Sequence, residues 1–480
     1  MRVLFVAAEA SPLVKKGGLA DVIGSLPRAL DGLGHEVRLI LPRYGVLNAD
    51  IQDVTPEISP VEVSLMGRSE LANLKMTTLK GEMIVYLVEN DHYFGGPEVY
   101  TDDDLERFLF FSLAIPDILA QLDWRPDIIH CHDWHASLVP LWLKEAGCSL
   151  PTVFTIHNLA YQGPFDRRFL AASGLSQVWR KHVPDGAPVP PLSFMSQGIL
   201  LADMVTTVSS TYAAEITTPE HGEGLDRLLR YRRGELYGIV NGIDYEEYNP
   251  TADPYLTANY DSATLEKRVA NKIALQGKSN LPQNPDVPLI GMVCRLDEQK
   301  GFDLLLQSMD SLMAETKAQF IILGEGRERY HTLLRKSEQR YPDRMALFIA
   351  TDDSLAHLIY GGSDIFLMPS RFEPCGLGQL IAMHYGAIPV VRHTGGLSAT
   401  VEDAGADLGQ GNGFVFQEYE PASLVEAVKR AEEAFYHKEA WQKLMMRNMA
   451  RDFSWDASAK KYEDVYHKAM KLPRFAGNDS

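Results

Sequence analysis

The chain has 480 residues, of which 45% are hydrophobic and 23% are charged, and its formal net charge is −18. The length exceeds what one hydrophobic core usually takes and indicates two domains. The negative charge argues against nucleic acid or an anionic membrane as a partner, because the field of the whole protein repels phosphate.

The cysteines and the N-terminus indicate the compartment. The four cysteines lack Cys-x-x-Cys or Cys/His ligand spacing, which argues against a structural zinc site and a disulfide scaffold. The apolar run at residues 3–8 is too short for a signal peptide, and no run of 18 apolar residues occurs that would span a membrane. We therefore expect a cytoplasmic protein.

The first half of the sequence has the pattern of an α/β domain. Buried strands are predicted from apolar runs at residues 2–8, 37–41, 127–130, 152–156, 204–209 and 236–240. Alternating segments at 61–65, 74–78 and 83–87 predict antiparallel or edge strands. Helical spacing of apolar residues predicts helices from Gly18 onward, at 105–122 and at 134–146.

Three polar clusters follow strands of this half: residues 15–21, 132–135 and 157–158. Gly17 and Gly18 would let a charged ligand approach bare backbone N–H groups at a helix start, and Lys15 adds a cation. Because parallel strands end at one edge of a sheet, we expect the clusters to meet there. Ordinary loops would also fit each cluster taken singly. The histidines lack the i, i+4 spacing of HExxH, which disfavours a metal.

The second half repeats the alternation of strands and helices, which predicts parallel sheets with right-handed crossovers. Its strands are predicted at residues 289–294, 320–323, 346–349, 365–368 and 388–391. Its helices are predicted at residues 302–313, 422–434, 440–449 and 455–471. The polar, proline-bearing segment near residues 242–250 is where we place the boundary between domains.

Polar residues follow three strands of the second half as well. Arg295 and Lys300 follow the first, and such a pair can bind a phosphate, although two solvated surface charges would also explain it. Glu373 lies in a Pro- and Gly-containing turn after a buried strand, which an ordinary strand-to-helix connection would also explain. Gly395 and Gly396 form a second glycine pair at a helix start. Neither glycine loop matches a P-loop or a G-x-G-x-x-G fingerprint.

These parts suit the transfer of a sugar from a sugar nucleotide. Negative charge develops on a diphosphate as its bond to the sugar breaks, and Arg, Lys and a helix N-terminus stabilise such charge without a metal. A carboxylate such as Glu373 can bind sugar hydroxyls or face a developing oxocarbenium ion.

The chain resembles bacterial glycogen synthases and plant starch synthases, which are retaining glycosyltransferases of the GT-B type. The resemblance extends over most of the chain and rests on several motifs in the family's order. The motifs are Lys15-x-Gly17-Gly18-Leu19-Ala20-Asp21-Val22, His132-Asp133-Trp134-His135, Thr155-Ile156-His157-Asn158-Leu159-Ala160-Tyr161-Gln162-Gly163, Asn241-Gly242-Ile243-Asp244, Arg295-Leu296-x-x-Gln299-Lys300-Gly301, Pro369–Leu377, Thr394-Gly395-Gly396-Leu397 and Asp452-Phe453-Ser454-Trp455.

The resemblance implies an α/β protein with two Rossmann-like domains that face a deep interdomain cleft. The first is expected at residues 1–241 on the acceptor side, the hinge at 242–250, and the donor domain at 251–455, with a helix at 456–480 joining the first domain. ADP-glucose is the implied donor, and the acceptor is the non-reducing end of an α-1,4-glucan, either glycogen or a maltooligosaccharide. No cofactor and no metal are implied, and neither nucleic acid nor a membrane is expected as a partner.

The resemblance also implies roles for individual residues, with a front-face route in which the leaving phosphate helps to deprotonate the acceptor. The implied catalytic residues are Asp133, His157, Arg295, Lys300 and Glu373. The implied substrate-binding residues are Lys15, Gly17, Gly18, Asp21, His135, Asn158, Asn241, Cys375, Gly376, Leu377, Thr394, Gly395 and Gly396. Alanine at Glu373 or Lys300 is expected to lower turnover by orders of magnitude and to leave the fold intact.

Two alternatives stay open from the sequence. One is a GT-B transferase that uses UDP-glucose or a small acceptor such as a sugar phosphate. The other is a non-catalytic glucan-binding protein that keeps the fold. Transfer of label from ADP-glucose into polymer would separate both from a glucan synthase.

Overall fold

The structure is a computed structural model that describes residues 1–47, 58–79 and 83–472. Its strands follow in chain order. They are β1 (Arg2–Val6), β2 (Glu36–Pro42), β3 (Val61–Leu65), β4 (Arg68–Leu79), β5 (Met83–Glu89), β6 (Ile128–His132), β7 (Thr152–Ile156), β8 (Met204–Thr207), β9 (Leu236–Gly238), β10 (Leu289–Val293), β11 (Gln319–Leu323), β12 (Met345–Phe348), β13 (Ile365–Met368), β14 (Ile388–Arg392) and β15 (Phe414–Phe416).

The α-helices alternate with these strands along most of the chain. They are α1 (Gly18–Gly32), α2 (Asp91–Phe94), α3 (Asp104–Gln121), α4 (Asp133–Ala136), α5 (Val139–Glu145), α6 (Arg167–Ala172), α7 (Leu175–His182), α8 (Phe194–Leu201), α9 (Ser210–Glu215), α10 (Asp226–Tyr231), α11 (Arg268–Lys278), α12 (Phe302–Glu315), α13 (Glu328–Arg340), α14 (Asp353–Gly362), α15 (Gly378–His384), α16 (Gly395–Thr400), α17 (Pro421–Tyr436), α18 (Lys438–Met449) and α19 (Trp455–Lys471).

The first compact unit comprises Met1–Gly242 and the C-terminal helix α19. Among the described residues, its sheet has the strand order β3-β4-β5-β2-β1-β6-β7-β8-β9. All pairs from β5–β2 to β8–β9 are parallel, whereas β3–β4 and β4–β5 are antiparallel. Every residue of β6 and β7 is buried, as expected for central strands of a parallel sheet with both faces covered.

The helix α19 packs against α1, so the end of the described chain belongs to the first unit. Ser458 of α19 donates a hydrogen bond of 2.6 Å to the carbonyl oxygen of Val240. The buried face of α19 includes Trp455, Tyr462 and Tyr466, which recur at helical spacing. The predicted helix at 456–480 extends past residue 472, and its last part lies outside the described residues.

The second compact unit comprises Ile243–Ser454. Its sheet has the strand order β12-β11-β10-β13-β14-β15 within the described residues, and every pair in it is parallel. The predicted α/β class with parallel sheets is therefore confirmed in both units. Strands β10, β13 and β14, which precede the predicted polar residues of this half, are neighbours in the sheet.

Two sequence-based boundaries differ from the structure. The predicted helix at 134–146 is two helices, α4 and α5, because Pro140 lies in the first turn of α5. Its ring would clash with the carbonyl of Ala136 in one continuous helix, and it has no N–H to donate. The second strand was expected to end before Pro42, but Pro42 is its last residue and pairs with Val88. Within the described ranges, no helix is long and apolar enough to cross a membrane.

Candidate functional site

In the first unit, the three predicted polar clusters lie at one edge of the sheet. They follow β1, β6 and β7, which are adjacent and parallel. The loop after β1 leads into α1, which begins at Gly18. Lys15 Nζ lies 2.6 Å from Asp21 Oδ1. A Cβ atom placed on Gly17 or Gly18 would meet no atom within 4 Å, so both glycines border open space.

A buried carboxylate that the sequence reasoning passed over holds this loop. Glu9 is 3% exposed, and its Oε2 accepts hydrogen bonds from the backbone N–H groups of Lys16 at 2.6 Å and Gly17 at 3.0 Å. Its other oxygen accepts from the hydroxyl of Tyr100. The N–H of Gly17 is therefore not bare, contrary to the expectation for both glycines. The available signal was a carboxylate just after a buried strand, whereas nothing near Tyr100 in the sequence indicated its role.

The second cluster follows β6 and centres on Asp133. This residue is buried and has a left-handed backbone with φ of 55°. Its Oδ1 accepts a hydrogen bond of 2.8 Å from the backbone N–H of His157. Burial raises the pKa of Asp133 to about 7, although hydrogen bonds from the backbone of His157 and Asn158 favour the charged form. Burial thus makes the protonated form of this carboxyl more stable than it is in an exposed aspartic acid.

Neutral histidines surround Asp133. Burial lowers the pKa of His157 and of His135 to about 3, so both rings are uncharged at pH 7. His132 Nδ1 lies 3.0 Å from His157 Nε2, so one of the two rings donates a hydrogen bond to the other. His132 begins the motif His132-Asp133-Trp134-His135, but the sequence did not predict it as a site residue. Its contact with His157 joins residues 25 positions apart, so no local pattern indicates it.

His130 connects these histidines to the C-terminal helix through hydrogen bonds and a ring contact. His130 Nδ1 lies 2.8 Å from the hydroxyl of Tyr466 in α19, and its Nε2 lies 2.6 Å from Thr155 Oγ1. The rings of His130 and His132 are 4.0 Å apart between centroids. The helix α19 thus helps to set the orientation of the histidines that precede Asp133.

The predicted asparagines occupy different places in the first unit. Asn158 follows His157 in the loop after β7, and its Oδ1 accepts a hydrogen bond of 3.1 Å from the N–H of Ala160. Asn241 follows the edge strand β9, with β8 between that strand and β7. It is buried, and its Oδ1 has no hydrogen-bond partner among the described residues. Asn158 thus lies beside Asp133 and His157, whereas Asn241 lies farther along the sheet.

In the second unit, the predicted residues again follow neighbouring parallel strands, here β10, β13 and β14. Lys300 Nζ lies 2.6 Å from Glu373 Oε2, and the Ser370 hydroxyl donates to the same oxygen at 3.1 Å. Both charged side chains are largely buried, at 18% and 6% exposed. Burial alone would lower the pKa of Lys300, but the charge of Glu373 and their hydrogen bond outweigh it, and the pKa is raised.

The other predicted cation is also in an ion pair. Arg295 Nη2 lies 3.3 Å from Asp297 Oδ2, and the arginine side chain is 58% exposed. The basic site expected from the sequence therefore contains two cations and two carboxylates. An anionic ligand would meet cations that are positioned by carboxylates, with little excess positive charge.

Close backbone contacts hold the loop around Glu373. The N–H of Gly396 donates to the carbonyl of Glu373 at 2.9 Å, and a Cβ on Gly396 would lie 1.8 Å from the carbonyl oxygen of Cys375. Only glycine fits there. The side chain of Gln379, which the sequence reasoning did not select, donates to the carbonyls of Cys375 at 3.2 Å and Gly376 at 2.9 Å. These contacts hold the backbone of the loop that carries Glu373.

The remaining predicted residues of this unit lie in the same loops. Gly376 and Gly395 have left-handed backbones, with φ of 73° and 45°. Leu377 is the N-cap of α15, and the buried Thr394 is the N-cap of α16. Across the described residues, no group of three or more His, Cys, Asp or Glu side chains could hold a metal ion.

Family models match most of the chain. Residues 2–231 match the model described as the starch synthase catalytic domain. Residues 276–443 match the model described as glycosyl transferases group 1. Together these ranges contain all of the predicted site residues except Asn241.

Two relatives that align with this chain over nearly their whole length are glycogen synthases. A glycogen synthase of Moorella thermoacetica is 46% identical over 487 residues, which cover 99% of this chain and 98% of the relative. A glycogen synthase of Thermotoga maritima is 43% identical over 484 residues, covering 98% of this chain and 99% of the relative.

Two solved structures are similar to this chain over nearly its whole length. The catalytic domain of starch synthase IV from Arabidopsis thaliana, bound to ADP and acarbose, superposes with a TM-score of 0.88 at 35% identity, covering 98% of this chain and 99% of that one. Sucrose-phosphate synthase from Thermosynechococcus elongatus has a TM-score of 0.59 at 17% identity, covering 97% and 98% of the two chains, which indicates similarity of fold alone.

Proposed function

The chain belongs to the family of glycogen synthases and starch synthases and is a glycosyltransferase of glycogen or starch synthesis, and we propose that it transfers glucose from ADP-glucose to the non-reducing end of an α-1,4-glucan. The GT-B class predicted from the sequence is confirmed by its structural relatives. A related starch synthase binds ADP, which supports an adenine nucleotide sugar as the donor. We also propose a cytoplasmic location, which the absence of any disulfide among the four cysteines supports.

The contact that carries the proposal most directly is the buried ion pair of Lys300 and Glu373, at 2.6 Å. In the proposed reaction, Lys300 and Arg295 bind the diphosphate of the donor. Arginine can form two parallel hydrogen bonds to phosphate oxygens, and lysine adds a compact charge. Both stabilise the negative charge that develops on the leaving group.

Glu373 is proposed to bind hydroxyl groups of the transferred glucose. Its Oε2 is already bonded to Lys300 and Ser370, so Oε1 is the atom that would accept from the sugar. The bonds from Lys300 and Ser370 support this role because they hold the carboxylate, while the N–H of Gly396 holds the backbone of Glu373. Preorganised acceptors and donors of this kind lower the cost of reaching the transition state.

Residues of the first unit are also proposed to take part in substrate binding. The neutral ring of His157 can accept or donate a hydrogen bond without introducing a charge. Asp133 and Asn158 are joined to it through the backbone of the loop after β7, and His135 lies in the same cluster as Asp133. Lys15 and Asp21 are proposed to lie near the donor's phosphate and sugar.

Retention of the α configuration is proposed to follow a front-face route. A double displacement requires a free carboxylate nucleophile on the β face of the sugar. The ion pair with Lys300 weakens Glu373 as a nucleophile, and burial weakens Asp133 by raising its pKa to about 7. Both observations favour a route in which the leaving phosphate accepts the proton of the acceptor hydroxyl.

The test is a transfer assay with labelled ADP-glucose or UDP-glucose, with and without glycogen. Label entering polymer from ADP-glucose, and released from it by β-amylase, supports the proposal, because that enzyme removes α-1,4-linked units from non-reducing ends. Incorporation from UDP-glucose alone, or into a small acceptor, would establish a different transferase. Binding of glycogen without transfer of glucose from either donor would contradict an enzymatic role.

A further inference from the structure

A buried carboxylate with no assigned role lies beside the first polar cluster. Glu9 follows β1 by three positions and is 3% exposed. Burying a carboxylate costs free energy unless hydrogen bonds replace its water. Three neutral donors do so here: the N–H of Lys16 at 2.6 Å, the N–H of Gly17 at 3.0 Å and the hydroxyl of Tyr100. Two of these donors belong to the loop that precedes α1.

The third donor connects Glu9 to a different cluster. The ring of Tyr100 is stacked on His135, with 5.1 Å between centroids and an interplanar angle of 24°. Burial and the charge of Glu9 raise the pKa of Tyr100, so its hydroxyl keeps its proton and donates. Tyr100 and Glu9 are 91 residues apart in the chain. Glu9 and Tyr100 thus form one buried link between the loop after β1 and the cluster after β6.

The loop needs such a link because of its composition. Gly17 and Gly18 border open space, and no side chain of theirs restricts the backbone. Glycine loses more conformational freedom than any other residue when it is ordered. Hydrogen bonds to a buried, fixed carboxylate would order the loop before a ligand arrives, which removes that cost from binding.

We propose that Glu9 and Tyr100 are positioning residues for glucosyl transfer, which hold the loop of residues 15–18 and the ring of His135 in their working arrangement. This inference rests on the proposed function. Neither residue needs to touch substrate. Glu9 acts through the backbone of Lys16 and Gly17, and Tyr100 acts through Glu9 and by stacking on His135.

The test measures kcat and KM in the full-length chain carrying Glu9→Gln, Tyr100→Phe or both. Each single change removes or weakens a hydrogen bond to a buried carboxylate. We expect kcat/KM for ADP-glucose to fall by about 10-fold to 100-fold in each. The double variant should lose less than the product of the two single losses, because both changes act on the hydrogen bond between Glu9 and Tyr100. KM for glycogen should stay within about twofold of wild type.

The chain offers a matched control in the second unit. Glu432 is 7% exposed, and its Oε1 accepts from the backbone N–H of Lys317 at 2.8 Å and from the hydroxyl of Tyr436 at 3.2 Å. Glu432→Gln and Tyr436→Phe therefore remove the same kinds of bond away from the predicted site residues. Both controls should keep kcat and KM near wild-type values, even where the melting temperature falls.

The outcomes separate the two levels of inference. If the wild-type chain transfers no glucose from ADP-glucose, the proposed function fails and this inference fails with it. If wild type is active, either of two results overturns the inference alone. In the first, Glu9→Gln and Tyr100→Phe both keep kcat/KM within about twofold of wild type. In the second, they lower apparent kcat with an unchanged KM for ADP-glucose, as partial unfolding would. If Glu9→Gln does not fold, Tyr100→Phe decides by the same criteria.

Discussion

The buried pair of Lys300 and Glu373 leads to a prediction about stability as well as activity. The sequence alone suggested that alanine at either position would leave the fold intact. In the structure, however, each side chain is the buried partner of the other, at 2.6 Å and with 18% and 6% exposure. Removing one partner leaves an uncompensated charge, which typically costs about 3 to 5 kcal/mol. We expect the lower end, about 3 kcal/mol, because the lysine side chain retains some contact with water.

The assay is thermal and denaturant unfolding of Glu373→Ala, Lys300→Ala and the double variant, alongside turnover with ADP-glucose and glycogen. A loss of about 3 kcal/mol corresponds to a fall of roughly 6 to 12 °C in the transition of a domain of about 150 to 250 residues. The double variant should be destabilised by less than the sum of the singles, because it leaves no unpaired charge. Turnover should fall by orders of magnitude in all three variants.

Two results would refute this reasoning. If both single variants melt at the wild-type temperature, the pair does not stabilise the second unit. If the double variant is destabilised by the full sum of the singles, the two side chains do not interact energetically. Turnover near the wild-type value in either single variant would remove these residues from the proposed mechanism.

Three further predictions follow from the site. The native protein holds a proton on Asp133, whose pKa is about 7, that the unfolded chain releases above about pH 4, so the contribution of Asp133 to stability falls as pH rises from about 4 to 7. His135 and His157, whose pKa values are lowered to about 3, contribute in the opposite direction between about pH 3 and 6.5. Asp133→Asn should therefore make the change of melting temperature with pH more positive over this range than it is in wild type, and an unchanged slope would contradict the prediction. Gly396→Ala should unfold at a lower temperature than wild type, because its Cβ would lie 1.8 Å from the Cys375 carbonyl oxygen. Gly18→Ala, with open space around it, should unfold at the wild-type temperature but transfer glucose more slowly. Equal melting temperatures of the two variants would argue against the backbone contact at Gly396. Dialysis against EDTA should leave the transfer rate unchanged, because we expect the protein's own cations to stabilise the diphosphate, and a loss that Mg²⁺ restores would show a metal requirement.

Much of the fold could be predicted from local patterns. Apolar runs bounded by Pro and Gly located the central strands, since a strand buried on both faces must be apolar along its length. Alternation identified the antiparallel strands β3 and β4, although β4 begins earlier than predicted, at Arg68. The break between α4 and α5 was missed, because the apolar periodicity continues across it and only the position of Pro140 in the first turn of α5 separates the helices.

The sequence by itself indicated three things: the kinds of residue at the strand ends, the glycine pairs and the family resemblance. They follow from types and spacings within short stretches, and they were sufficient for the reaction class. Only the tertiary structure decided which groups are partners: Lys300 with Glu373, His132 with His157, and Glu9 with Tyr100. These contacts join residues far apart in the chain, and their burial sets protonation states that no local pattern encodes. Sequence periodicity reports which residues are buried, whereas the partner and charge of a buried polar group depend on the packed surroundings.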